Sequence, residues 1–274
     1  DPLRINRLTT GVFELGSTFK ALTLAMALDS TAIELTIPKD FPGGIVAMIT
    51  EIEQLNVVPD QVARVMISEE TGTVVPLGSW ALLDALTQLR HWIDSGACTA
   101  STSMSVNVSA RQLHDPTFVS VVTDALSRSG IPADQLWLEV TESLMITEPT
   151  QALSTLTQLN AIGVRVAIDD FGTGYSSLSL LQRFPIQRIK IDRAFVNALT
   201  SDEGSHSIVR TIVAMADALG ADIVAEGVET AEQLRILSSL DCHKAQGYLI
   251  SHPVDTSSVP ATVTELQDSH RWRM

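Results

Sequence analysis

Asp169 and Asp170 are the residues best placed for chemistry: adjacent carboxylates that close the apolar run Val166-Ala167-Ile168 and open the glycine-punctuated stretch Phe171-Gly172-Thr173-Gly174-Tyr175. Two neighbouring anions repel, so the pair needs a divalent cation, a basic partner or solvation at a strand end. Asn107, Glu139, Lys190, Glu226 and Gln246 stand at or near the ends of other short apolar runs. Together these are oxygen donors and hydrogen-bonding groups plus one ammonium, with no thiolate or imidazole. Such a set selects Mg2+ or Mn2+ over zinc or copper. Two ions sharing one aspartate suit phosphodiester hydrolysis, one activating water and both neutralising charge on the phosphorus oxygens. Lys190 would orient the nucleophile or steady the phosphate.

Taken singly, each residue has a plainer use. Asn107 suits a turn, Glu139 with Thr141 and Glu142 suits a helix entry, and Lys190 with Asp192 and Arg193 suits an ion-pair cluster. Glu226 and Glu229 could be solvated loop acids, and Gln246 could satisfy a backbone group. Their joint placement at strand ends favours a site.

The elements that must position them alternate. Strands are expected at 103–108, 136–140, 164–168 running into Asp169 and Asp170, 188–191, 223–225 and 245–249. Helices are expected through Trp80, Leu82, Leu83, Leu86, Leu89 and Trp92, then at 116–128, 150–160, 205–219 and 231–240. Alternation of this kind specifies parallel βαβ units, in a barrel or a doubly wound sheet. A doubly wound sheet gathers its ligands at one switch point, whereas a barrel collects them from the ends of many strands. The expected fold is therefore α/β, a modified TIM (β/α)8 barrel, with irregular N-terminal strands near 34–38 and 45–52 preceded by a helical spacing at 19–28.

A length of 274 residues fits one barrel domain, and 45% hydrophobic residues supply a core. The formal charge of −14 disfavours nucleic acid polymers and anionic membranes as partners. Cys98 and Cys242 lack metal-type spacing and read as reduced core thiols. No signal or spanning segment is evident, so a cytoplasmic location is expected; the start at Asp1 reads as a fragment, with an upstream sensor domain or tether expected.

The run from Asp169 through Phe171-Gly172-Thr173-Gly174-Tyr175-Ser176-Ser177 to Leu178 resembles the signature loop of the EAL-domain family of bacterial cyclic di-GMP phosphodiesterases. Val106-Asn107-Val108-Ser109, Leu138-Glu139-Val140-Thr141-Glu142-Ser143, Ile189-Lys190-Ile191-Asp192-Arg193, Ala225-Glu226-Gly227-Val228-Glu229-Thr230 and Gln246-Gly247-Tyr248 follow in the family's order. The resemblance covers 68–253, leaving a divergent part at 1–66 and a tail at 254–274. It implies a barrel whose first strand runs antiparallel, and hydrolysis of cyclic di-GMP to linear pGpG. It also implies that Asn107, Glu139 and Asp169 hold one metal, and Asp169, Asp170 and Glu226 a second. Lys190 and Glu226 would be catalytic, Glu142 would brace the Asp-Asp-Phe-Gly loop, and Gln246 and Glu229 would meet the substrate. A homodimer through the region after Ser177 is a further family expectation.

The departures lie at the N-terminal strands, where neither Tyr-Gln-Pro nor Glu-Ala-Leu followed by Arg-Trp is found. The first metal thus lacks one expected ligand and the substrate phosphate its arginine, with Glu51 as the nearest substitute carboxylate. Weakened hydrolysis is one expectation. The alternative is an inactive domain serving as a cyclic di-GMP receptor or protein-interaction module.

Overall fold

The computed structural model describes residues 74–142, 144, 149–172, 178–252, 254 and 256–268. The N-terminal readings, including the helix at 19–28, the strands near 34–38 and 45–52 and the substitute ligand Glu51, lie outside the described residues. Helix α1 (Val74–Asp94) begins earlier than Trp80 and accommodates Pro76 in its first turn, where a missing N–H costs no helical hydrogen bond. Its buried residues Leu82, Ala85, Leu86, Leu89 and Trp92 recur at three- and four-residue steps, which is the stripe that seats it on the core.

Five strands follow: β1 (Met104–Asn107), β2 (Leu136–Thr141), β3 (Arg165–Phe171), β4 (Arg188–Ile191) and β5 (Asp222–Ala225). They form one parallel sheet in the order β1-β2-β3-β4-β5. Parallel neighbours cannot be joined by a hairpin, and helices supply the crossovers. Helices α2 (Ala110–His114) and α3 (Phe118–Ser129) precede β2, and α4 (Pro149–Ala161) precedes β3. The short α5 (Leu178–Leu181) precedes β4, and α6 (Arg193–Ala198) and α7 (Glu203–Leu219) precede β5. Helices α8 (Ala231–Ser239) and α9 (Val259–Asp268) complete the chain. A strand order that never reverses has no switch point, so the described strands are the wall of a TIM-like α/β barrel rather than a doubly wound sheet.

Alternation along the strands divides the side chains. Leu136, Leu138, Val140, Val166, Ile168, Ile189 and Ile191 are fully buried on the helix-facing side, with Leu156, Leu159, Val209 and Leu237 in the same apolar core. The opposite set, Ser105 and Asn107, Trp137 and Glu139, Ala167 and Asp169, Arg188 and Lys190, lines the barrel interior and is unusually polar. Its lower layer is closed by Trp137, with the Arg188 guanidinium 3.6 Å from the ring centroid. Burial pushes the Arg188 pKa down to about 10, against the opposing pull of Asp222 at 3.6 Å. Both cysteines are buried and free.

The expected sixth strand at 245–249 is corrected to a single bridge, Ala225 to Ala245. The Gln246 amide donates to the Ala225 carbonyl at 2.8 Å, and its carbonyl accepts from the Val228 amide at 3.0 Å. The chain then folds into turns in which the Ile250 and Ser251 amides both reach the Gly247 carbonyl. A Cβ on Gly247 would lie 2.3 Å from Val228 backbone atoms, so only glycine allows this approach.

Candidate active site

The carboxylate pair stands at the carboxyl end of its strand as expected, with β3 running one residue further, to Phe171. Simple alternation would turn Asp169 and Asp170 to opposite faces. The pairing with β4 runs Ile168 to Ile189 and then Phe171 to Ile191, so two residues of β3 stand against one of β4. Asp170 is left-handed, with φ of 53°. This bulge re-aims one side chain, and aspartate tolerates the conformation better than most residues. Oxygens of Asp169, Asp170 and Glu226 consequently lie within 4.8 Å of one another, with Asp169 buried and Asp170 exposed.

Lys190 enters from β4 beneath them. Its Nζ lies 2.8 Å from Glu139 Oε2, 2.9 Å from Asp169 Oδ1 and 2.5 Å from Glu226 Oε1. Burial works against the ammonium, but the three carboxylates outweigh it and hold its pKa above the ordinary lysine value. Glu226 follows β5, its amide donating to the Ile191 carbonyl at 3.1 Å. Burial pushes its carboxyl up to about 7 despite the ammonium, with Asp169 and Glu139 adding to the rise.

Asn107 is registered opposite Glu139 on the neighbouring strand, and its buried side-chain nitrogen has no hydrogen-bond partner among the described residues. Beyond it, Ser109 and Gln112 form a capping box that starts α2. Glu142, buried just past β2, accepts the Gly172 amide through Oε2 at 3.1 Å, joining the end of β2 to the turn after β3. The buried side-chain Oε1 of Gln246 has no hydrogen-bond partner among the described residues, and Glu229 is exposed, three residues beyond Glu226. The structure therefore gathers Glu139, Asp169, Asp170, Lys190 and Glu226, sets Asn107 beside Glu139, and leaves Glu229 on the surface.

The donor set is made of oxygens, three of them within 4.8 Å of one another, which fits a hard divalent cation. A further layer, not among the residues expected from the sequence, lies below. Trp137, Arg188 and Asp222 lie two, two and four residues before Glu139, Lys190 and Glu226, so a period-two reading would have placed them inside the barrel.

The EAL domain family model matches residues 49–253. The chain is 43% identical over 197 residues to the bifunctional diguanylate cyclase/cyclic di-GMP phosphodiesterase MucR of Pseudomonas aeruginosa, a match covering 72% of this chain and 28% of MucR. It is 41% identical over 187 residues to the cyclic di-GMP phosphodiesterase PdeR of Escherichia coli, covering 68% and 28%. It thus spans under a third of these relatives' lengths. Among solved structures, the PaMucR phosphodiesterase in complex with c-di-GMP shares 42% identity at a TM-score of 0.68, covering 71% of this chain and 78% of that one. The manganese and c-di-GMP complex of Klebsiella pneumoniae BlrP1 shares 33% identity at 0.58, covering 64% and 44%. With three quarters of its length matched by the family model and its carboxylates gathered around Lys190, the chain belongs to the EAL domain family.

Proposed function

We propose that this domain hydrolyses cyclic di-GMP to linear pGpG at the rim formed by β1 to β5. The observation that carries the reading is the convergence of Asp169, Asp170 and Glu226 within 4.8 Å, with the Lys190 ammonium 2.5 Å from Glu226. Asn107, Glu139 and Asp169 would hold one Mg2+ or Mn2+ ion, and Asp169, Asp170 and Glu226 a second. Bound there, such ions supply charge neutralisation at the phosphate and a water of lowered pKa. The chain's own part is to preorganise the oxygens. The bulge fixes Asp170, Glu142 holds the Gly172 amide, and Lys190 keeps three carboxylates in register while offering a positive charge to the substrate phosphate or the attacking water. Burial pushes the Glu226 carboxyl up to about 7, so taking up the second ion would release its proton, and Glu226 would play its catalytic part as a ligand of that ion. Gln246 would face the substrate from the turn after β5, with Glu229 further out.

The same reading takes 1–274 as a single barrel domain, with a homodimer, an upstream sensor domain and a cytoplasmic location as proposals. No described helix is long and apolar enough to cross a membrane. A receptor reading is favoured by one observation, the absence of a Glu-Ala-Leu motif from the sequence. Incubation with cyclic di-GMP and Mn2+, paired with a binding titration in Ca2+, separates the two. Release of pGpG supports the hydrolase, and saturable binding without pGpG supports the receptor.

A further inference from the structure

The segment after Glu226 is clamped from several sides, and the clamp leads back to Lys190. Gln233 on α8 is buried, and its Oε1 accepts both the Glu229 amide at 2.8 Å and the Thr230 amide at 2.9 Å. The Thr230 hydroxyl returns the bond by accepting the Gln233 amide at 3.2 Å. A capping box uses one of those amides, so the second, from Glu229, is beyond what starting a helix requires. The Gln233 Nε2 also donates to Asn197 Oδ1 on α6 at 3.4 Å, and α6 begins immediately after the Asp192 that follows Lys190 and Ile191. Gly227, at φ of 67°, passes so close to α6 that an added Cβ would stand 2.6 Å from Arg193 Cβ. At the other end, the Glu226 amide is held by the Ile191 carbonyl.

These contacts form a closed circuit from Lys190 along β4 to α6, across Asn197 and Gln233 to the Glu229 and Thr230 amides, back through Gly227 to Glu226, and across 2.5 Å to Lys190. We propose that Gln233 is a positioning residue that sets Glu226 against Lys190 and the Asp169–Asp170 pair, through two amides on one side and Asn197 on the other. The inference rests on the metal-dependent reading of the site. It assigns Gln233 no contact with substrate; its effect passes through the backbone of residues 226–230.

The test compares the apolar near-isostere Gln233→Met with Gln233→Glu in the full chain, reading Mn2+ affinity by titration and kcat and KM for cyclic di-GMP. A glutamate still accepts both amides, and the Asn197 amide can turn to donate to it. Q233M is expected to weaken Mn2+ binding about tenfold, the lower end of what losing an outer partner of a metal ligand costs, and to lower kcat with KM within about threefold. Q233E is expected to stay within about threefold of wild type on all three. Equal Mn2+ affinity in wild type and Q233M overturns the proposal, as does a Q233E as impaired as Q233M. If Q233M does not fold, Asn197→Ala takes its place, and an Mn2+ affinity equal to wild type overturns the proposal equally. A wild type that binds Mn2+ but releases no pGpG overturns the hydrolase reading and leaves the affinity comparison decisive. Absence of Mn2+ binding throughout overturns both.

Discussion

Asp169 and Asp170 are consecutive on β3, yet carboxylate oxygens of both come within 4.8 Å of each other and of Glu226. The left-handed backbone at Asp170, with φ of 53°, makes that convergence. Asp170→Asn is therefore expected to keep stability within about 0.5 kcal/mol, because asparagine also tolerates this conformation, while weakening divalent-ion binding. Asp170→Val is expected to cost about 1–2 kcal/mol from the backbone alone. Urea unfolding of the two variants checks the contrast; equal losses would show that the bulge imposes no conformational demand.

Lys190 neutralises a buried cluster. Its replacement by methionine leaves Glu139, Asp169 and Glu226 facing one another with no cation among them, and breaking a buried pair costs about 3–5 kcal/mol. Lys190→Met is expected to melt well below wild type without divalent ions and to regain more stability than wild type on adding Mn2+. A melting curve indifferent to both changes would contradict this.

The lower barrel layer gives a pH dependence. Burial pushes the Asp222 carboxyl up, but the hydrogen bond and charge of Lys244 and the Arg188 guanidinium outweigh it and hold it below the usual aspartate value. A depressed folded-state pKa stabilises above the unfolded value, about 3.9, and that contribution is lost as pH falls through the folded value. Asp222→Asn is expected to cost about 1 kcal/mol at pH 7, allowing for its half-exposed position, and progressively less below about pH 4. Denaturant unfolding at pH 7 and pH 3 measures the difference, which must narrow on acidification.

Gly247→Ala drives a methyl into the Val228 backbone at 2.3 Å, where no flexible side chain can yield. A loss of about 2–3 kcal/mol is expected. The displaced turn carries Gln246, so substrate affinity is expected to fall with stability. Unfolding and cyclic di-GMP titration of the variant read the two effects separately.

The sequence was most legible where local pattern and tertiary role coincide. The β4 strand at 188–191 was predicted to the residue, because Arg188 and Lys190 alternate with Ile189 and Ile191 and both sets are buried. The strand carrying Asp169 and Asp170 is legible to within one residue at its end, but its bulge is not, since a left-handed aspartate leaves no mark in hydrophobic periodicity. The segment at 245–249 reads as a strand but forms one bridge: both backbone bonds of Gln246 go to residues 225–228, and the turns that follow depend on a close backbone approach visible only in three dimensions. Glu139, Asp169, Asp170, Lys190 and Glu226, which the fold gathers, are readable as polar interruptions of apolar runs. Period two also places Arg188 and Trp137 on the face of Lys190 and Glu139, but their stacking, a buried cation on an indole, is visible only in three dimensions.

Mn2+-dependent release of pGpG from cyclic di-GMP by the purified chain, measured beside Asp169→Asn and Glu226→Gln, tests the hydrolase site directly. Wild type is expected to release pGpG, and each substitution to lower the rate by about 100-fold or more, since each removes a carboxylate from the converging set. Saturable binding of cyclic di-GMP with no pGpG at any Mn2+ concentration, or release that survives both substitutions, would contradict the hydrolase reading.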